Sequence, residues 1–434
     1  MLLTDRPFRR YWTAQTVSMF GDQISSVAVP LAAVLVLKAG AAEMGYLTAL
    51  IWLPSLLFGV HAGAWVDRRG RRRATMIAAD LGRFALLASV PACYALGVLT
   101  LAQLYAVAFA AGTLSVLFSV SDSTLFVALV PQDRYVDGNS LIYASRALSF
   151  VGGPSVGGLL VQWLTAPLAI AADALSFLGS ALFLGRIRPA EPPPAQAGND
   201  SLTGGARFIA RSPIVRAALF ALATINFFDL AFVALFTLYA VRTLHVVPGV
   251  LGLVLGAGAV GGLVGAAVTK RLSLAVGVGW AFVLGCIVFP APLLLVPLAG
   301  GPRPVVLTML FLAEFGSGFG VMVLDISFGS ILAAAVPDDM RARVNGAFQA
   351  VNYGTRPLGA LAAGGLAALI GLRPTLWLAA GGATLGFLWA LPSPLRGLRM
   401  PPAQARPPVS ARTERAASAG QARDTAEARP AEPR

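Results

Sequence analysis

The chain of 434 residues is short of the side chains that build catalytic and metal sites. It holds two histidines, His61 and His245, and two cysteines, Cys93 and Cys286. A His-based triad or a zinc site needs several such groups brought together, so neither is expected, and no metal or cofactor is implied. Both cysteines lie inside apolar runs and support no disulfide framework. The only lysines, Lys38 and Lys270, follow Leu37 and Thr269, so no Gly-Lys-Ser/Thr loop exists to cradle a nucleotide. Gly256-Ala-Gly258-Ala-Val-Gly261 has dinucleotide-binding spacing, but no strand precedes it. Its glycines, with Gly252, Gly262 and Gly265 at four-residue intervals, are expected to let helices approach closely. These absences argue against an enzyme, and any uphill work must draw on an ion gradient.

Charge is scarce as well. Only 12% of the residues are charged, against roughly 25% in soluble domains, and 57% are hydrophobic, with a mean hydropathy of +0.74. Apolar runs of about 20 residues, each long enough to cross ~30 Å of hydrocarbon as a helix, recur along the chain. The pattern predicts an all-α polytopic membrane protein with twelve transmembrane helices: 11–37, 44–66, 74–97, 101–130, 139–164, 167–185, 214–241, 249–268, 274–299, 304–335, 345–370 and 374–392. The first run far exceeds the roughly 7–15-residue core of a cleaved signal and reads as a retained span. Residues 1–185 and 214–395 then form two six-helix bundles, joined by a polar, Pro-rich linker at 186–213. Within that linker, Leu202 to Arg216 has the makings of a short surface helix. Residues 396–434, rich in Ala, Arg, Pro and Glu without periodicity, read as a disordered tail.

The loop charges set the orientation. One side carries Arg6, Arg9, Arg10, the five arginines of 68–73, Arg134, Arg186, Arg188, Arg207, Arg211, Arg216, Lys270, Arg271, Arg341 and Arg343. The other carries Lys38, Arg242, Arg303 and Arg373. Eighteen against four makes the first side cytoplasmic, with both termini there, in the cell membrane. The formal charge of +13 lies beside spans and in the tail, where it suits anionic lipid headgroups better than nucleic acid. Tyr11, Trp12 and Trp163 read as interface anchors.

The two halves repeat. Asp22 returns as Asp229, 207 residues on; VPQD at 130–133 with Asn139 returns as VPDD at 336–339 with Asn345, 206 residues on. GAWVDRR of 63–69 meets GAAVTKR of 265–271. Repeats of this length point to two bundles related by an axis along the membrane normal, each forming one wall of a cavity.

GAWVDRRGRRR, residues 63–73, packs six charges between apolar runs. It resembles the G-x-x-x-D-R-x-G-R-[KR] signature of the major facilitator superfamily, in the loop joining spans 2 and 3. FGDQISSVAVPL in span 1, DLGRFALL in span 3, Asn139-Ser-Leu and DALSF in span 6 are similar to the branch holding macrolide-efflux proteins and enterobactin exporters. Gly153, Pro154, Gly157 and Gly158 in span 5 resemble the end of the antiporter motif. Two glycines expected upstream are Ser140 and Ser149, and span 4 lacks the arginine of many proton antiporters. The resemblance implies the twelve-helix fold and alternating access. In the signature loop, Gly63 and Gly70 are expected to allow close approach and a tight turn, and Asp67 to meet the positive end of a helix. Arg68 or Arg71 meeting Asp122 would complete a latch on the cytoplasmic side; plain topology is the other reading of the same arginines.

Ionisable groups within the spans carry the remaining information, because each costs roughly 2.5–3.5 kcal/mol at mid-membrane on insertion scales. They are Asp22, Asp80, Arg83, Asp122, Arg146, Asp173, Asp229, Glu314, Asp325 and Arg356. Asp22 leads as a proton- or substrate-coupled carboxylate, since burial disfavours the charged form and lets such a group load and release a proton; a structural acid capping a helix is its alternative. Asp229 and Glu314 follow, deep in the second half. Asp173 reads as a helix-packing acid, and Arg146 and Arg356 as paired structural charges or as a grip on an anionic group. Trp52, Phe227, Phe228, Phe232, Phe236 and Tyr239 offer an apolar lining or simple packing. The expectation is a monomeric, proton-coupled exporter of an amphipathic drug or siderophore-like molecule. A metabolite importer and a non-transporting sensor or scaffold stand as alternatives.

Overall fold

Local chemistry starts and stops the helices. Asp5 accepts a hydrogen bond from the Phe8 amide at 3.1 Å, which caps α1 (Arg6–Leu31). Inside α1, Pro30 removes a backbone donor, and the chain continues through a π-helical turn at Ala32–Val36. α2 (Ala41–Arg69) ends at Gly70, whose φ of 61° is the left-handed conformation that glycine adopts without penalty. α3 (Arg72–Ala95), α4 (Leu101–Leu129, capped by Thr100), α5 (Tyr135–Trp163) and α6 (Ala166–Gly185) complete the first half.

A short helix, α7 (Leu202–Arg211), precedes α8 (Pro213–Arg242), which has Ser212 as its cap and proline in its first turn. Then come α9 (Pro248–Val276), α10 (Val278–Val288), α11 (Leu295–Leu298), α12 (Arg303–Ala335), α13 (Arg341–Ile370) and α14 (Leu372–Thr384). The computed structural model describes residues 2–188, 202–337 and 340–399, except for the side chains of Val60, Ala64, Asp67, Arg69, Leu202, Thr203 and Ala342. Residues 400–434 of the expected tail and the two aspartates 338–339 of the second VPDD copy lie outside the described residues. The tail's first residues close a 3-10 turn at Pro394–Gly397, and the Leu398 carbonyl accepts from the Gly279 amide at 3.2 Å.

The described residues are almost wholly helical, and nine helical segments among them are long and apolar enough to cross a membrane. α5, α13 and α14 fall outside that set. α5 and α13 carry Asn139, Arg146, Asn352 and Arg356 among their apolar residues, and α14 gives way to a 3-10 turn after 13 residues. Several expected boundaries move. Most of the signature loop is helix: Gly63 to Arg69 form the last two turns of α2, and only Gly70 and Arg71 lie between helices. The ninth span is broken around Pro290 and Pro292, which interrupt the amide ladder between α10 and α11. Tyr11, expected at the interface, is only 1% exposed and packs beneath α4, whereas Trp163 is 72% exposed.

Packing follows the repeat. α1 packs on α5 and α6, as α8 packs on α13 and α14; α2 packs on α4, as α9 packs on α12. The halves join where α2 meets α13 and α5 meets α9. Both joints use glycine. A Cβ on Gly45 would come within 2.7 Å of the Ala360 carbonyl oxygen, and one on Gly158 within 2.9 Å of Gly252 Cα. The α9 glycines form two stripes: Gly252 and Gly256 press on α5, whereas Gly258, Gly261 and Gly265 press on α12.

Candidate functional site

Four helices of the first half enclose one arginine. Arg83 on α3 is 3% exposed, its guanidinium carbon 4.5 Å from the ring centre of Phe118 on α4 and 4.0 Å from that of Phe177 on α6. Its Nη2 donates to Asp80, one turn earlier on α3, and its Nη1 lies 3.4 Å from Ser115 Oγ and 4.0 Å from Asp22 Oδ1. Asp80 is fully buried, whereas the Asp22 side chain is 51% exposed. Asp173 on α6 is 1% exposed; it accepts hydrogen bonds from Ser25 of α1 and, at 3.1 Å, from Ser176. Gly21 makes this meeting of α1 and α6 possible, because a Cβ there would collide with Ser176 and the Asp173 carboxylate.

The structure therefore brings Asp22, Asp80, Arg83 and Asp173 together, although Asp173 reads from sequence as a separate packing acid. The Asp80/Arg83 spacing of three residues, which places both on one helix face, was the available signal. The aromatic cage comes from two other helices and leaves no local pattern.

In this structure Asp122 of α4 meets α1. It accepts hydrogen bonds from Tyr11 Oη at 2.6 Å and from Gln15 Nε2, both on α1. Those bonds turn it into the first half, and Arg68 and Arg71 lie exposed. Of the same arginine run, Arg73 reaches the end of α6, where its Nε donates to the Leu184 carbonyl at 2.8 Å and its Nη2 to that of Gly185 at 2.5 Å. Arg10 joins it on the Arg186 carbonyl at 2.5 Å. Cations at a helix C-terminus satisfy its last carbonyls and complement its dipole. The Asp67 side chain lies outside the described residues. Among the described residues, a Cβ on Gly63 would meet nothing within 4 Å.

In the second half, Arg356 of α13 donates from Nε to Asn226 Oδ1 of α8 at 3.0 Å and stacks 4.4 Å over Trp52 of α2. It thus bridges the halves. Asn226 also donates to Asn352 at 3.2 Å. Asp229, one turn beyond Asn226, is within electrostatic reach of Arg356 and of Glu314 on α12. Glu314 lies against Gly258, where a Cβ would come within 3.3 Å of its Oε2. Asp229, Glu314 and Arg356 are all partly exposed. Gly153 and Gly157 of α5 press on Gln23 and Ile24 of α1, Gly158 presses on α9, and Pro154 is buried between them. That segment is a three-helix joint. No cluster suited to a metal ion occurs among the described residues.

Residues 2–412 match the family described as transmembrane secretion effector. The chain belongs to the major facilitator superfamily. It is 30% identical over 397 residues to the multidrug efflux pump Tap of Mycobacterium tuberculosis, covering 83% of this chain and 87% of that one. Among solved structures it resembles a mutant form of the nucleoside transporter NupG, with a TM-score of 0.73 at 14% identity over 89% of this chain and 99% of that one. A bacterial homologue of the iron transporter ferroportin in its inward-facing state gives a TM-score of 0.71 at 14% identity, covering 89% and 98%. At such identities these two likenesses speak for the fold alone. As a major facilitator protein, the chain is a membrane transporter for small molecules and not an enzyme.

Proposed function

We propose that this transporter expels an amphipathic small molecule, such as a drug or a siderophore-like compound, in exchange for protons by alternating access. Asp22 is the single observation that carries the reading. It is a carboxylate more than half open, at 4.0 Å from an arginine otherwise sealed inside the protein. Such a group meets water on one side and a fixed counter-charge on the other, which suits a site that gains and loses a proton. Asp229, Glu314 and Arg356 line the facing half and take the substrate's polar or charged parts. The likeness to a multidrug efflux pump supports export.

The same reading counts α5, α13 and α14 with the nine apolar segments, giving twelve spans in two six-helix bundles, 1–185 and 214–395, joined by a linker at 186–213. Both termini and the tail from 396 face the cytoplasm, and the protein acts as a monomer in the cell membrane without nucleic-acid partners. The glycine joints lie at the ends of α5 and α13 and the starts of α2 and α9, so the halves close towards the outside. The cavity then opens inward. Gly63, Asp67, Arg68, Gly70 and Arg71 remain as the cytoplasmic gate that closes when the state reverses. Gly153, Pro154, Gly157 and Gly158 form the pivot on which α5 rocks between α1 and α9.

Inverted membrane vesicles test the central claim. An imposed proton gradient is expected to drive ethidium uptake, and Asp22→Asn to abolish that uptake with expression unchanged. Gradient-independent uptake in the parent chain, or full uptake in Asp22→Asn, would remove the proton from the mechanism. Asp229→Asn and Glu314→Gln should instead weaken the apparent affinity for ethidium and leave proton release in response to other substrates.

A further inference from the structure

We propose that Asp173 and Asp22 form a proton-sharing pair, with the caged Arg83 as the fixed counter-charge that stabilises whichever of the two is ionised. The proposal rests on the proton-coupled reading above and deepens it. Asp22 of α1 and Asp80 of α3 lie within 4.0 Å of the Arg83 guanidinium, and Asp173 of α6 stands beside them against Gly21 and Ser25 of α1. With all three ionised the cluster would carry a formal charge of −2, most of it away from water, a state that low-dielectric surroundings penalise heavily. Protons must therefore reside there.

The geometry assigns them. Asp80 is locked to Arg83 and fully buried, and its Oδ2 and the Arg83 Nε have no hydrogen-bond partner among the described residues. Asp80 is thus the permanent partner of the guanidinium. Asp173 is as deeply buried as Asp80, yet its oxygens face two hydroxyls and, among the described residues, no cation within 4 Å. Asp22 alone is open. Water consequently reaches Asp22 first. Ser25, one turn along the same face of α1, already donates to Asp173. In the transfer, the Ser25 hydroxyl gives its proton to the Asp173 carboxylate and takes one from the Asp22 carboxyl group. The proton count is unchanged, and Asp22 is left as an anion beside Arg83.

The other elements packed around the pair add little charge. α4 presents Ser115 and Phe118, and the further charges are Asp122, held by Tyr11 and Gln15, and Arg146 of α5, which faces Asp122 and not the pair. A purely structural Asp173 would need its two serines but would have no use for an open carboxylate alongside.

The full-length chain in proteoliposomes, with ethidium as probe, separates these roles. Asp173→Asn is expected to cut gradient-driven ethidium accumulation at least tenfold and to flatten its dependence on pH, whereas downhill ethidium flux in the presence of an uncoupler stays within about twofold. Asp173→Glu should restore most of the driven component. Driven accumulation that survives Asp173→Asn would overturn the pair and leave the antiporter reading intact. Equal loss of driven and downhill flux in a folded Asp173→Asn protein would overturn it too, since that is the mark of a structural acid. A parent chain without driven accumulation would instead sink the antiporter reading itself. Infrared titration covers the case in which Asp173→Asn does not fold. Asp22→Asn should alter the carboxyl bands of more than one group, and the loss of a single band would refute sharing.

Discussion

The two halves of this transporter share a packing plan and differ in what they bury. In the first half, Tyr11, Gln15, Asp80, Arg83, Asp122 and Asp173 make a polar interior running through four helices. At the repeat offset of 206 or 207 residues, the second half has Ala218, Leu222, Cys286, Phe289, Phe328 and, opposite Asp173, Ala379 and Ala380. Those residues pack within its apolar clusters. The second half keeps its ionisable groups, Asp229, Glu314, Asp325 and Arg356, at positions that are exposed or partly exposed. Among the described residues, the second half buries no charged side chain. On the proposed reading, the charges of the first half serve transport, and a variant that removes them tests whether they also serve folding.

Removing the central cation should have the largest effect. Arg83→Met would leave Asp80 buried without its partner, a loss that costs about 3–5 kcal/mol in comparable buried pairs. The expected outcome is a large drop in folded protein by thermal unfolding in detergent. Arg83→Met combined with Asp80→Leu copies the apolar solution of the second half and should recover stability while driven transport stays lost. A double variant as unstable as the single one would show that the first half depends on its charges to fold.

How far the sequence disclosed this division depends on whether a signal is local or assembled. Nine of the expected spans were legible because each is a continuous apolar run, and the shared packing plan was hinted at by Asp22 and Asp229 recurring at a fixed distance. Gly70 was legible as a turn, since the left-handed conformation selects glycine. The partner of Asp122 was not: a motif shared with other proteins pointed to Arg68 or Arg71, and the structure supplies Tyr11 and Gln15. Tyr11 looked like an interface anchor because aromatic residues gather at span ends, yet its hydroxyl turns inward to an acid on another helix. The cage of Phe118 and Phe177 around Arg83 was hidden for the same reason. Helices apolar nearly all round do not reveal which face meets which neighbour.

Glycine packing extends the comparison at a smaller scale. Gly265→Ala would force a Cβ to about the 3.0 Å at which it meets Phe319 Cα, against backbone that cannot easily yield. Separation of α9 from α12 should cost about 1–3 kcal/mol, read as a lower unfolding temperature. An unchanged temperature would mean that this helix pair is looser than its glycines imply. Tyr11→Phe ranks slightly below it. It removes one of two donors to Asp122 and should cost roughly 1–2 kcal/mol, an effect that Asp122→Leu alongside Gln15→Leu should largely erase.

The smallest effect belongs to the glycine that the repeat sets opposite Gly265. Gly63 lies in the interior of α2, and a Cβ there would meet nothing within 4 Å among the described residues. Alanine at that point is expected to be neutral or to stabilise the helix by up to about 1 kcal/mol, since glycine is the poorer helix former. Unfolding temperature in detergent should therefore stay level or rise. Transport then decides why a glycine stands there at all. If the signature segment closes against the other half during the cycle, Gly63→Ala would slow turnover in a protein that is no less stable. Unchanged turnover would confine the close-packing glycines to the joints at the far ends of α2 and α5 and to the two stripes of α9.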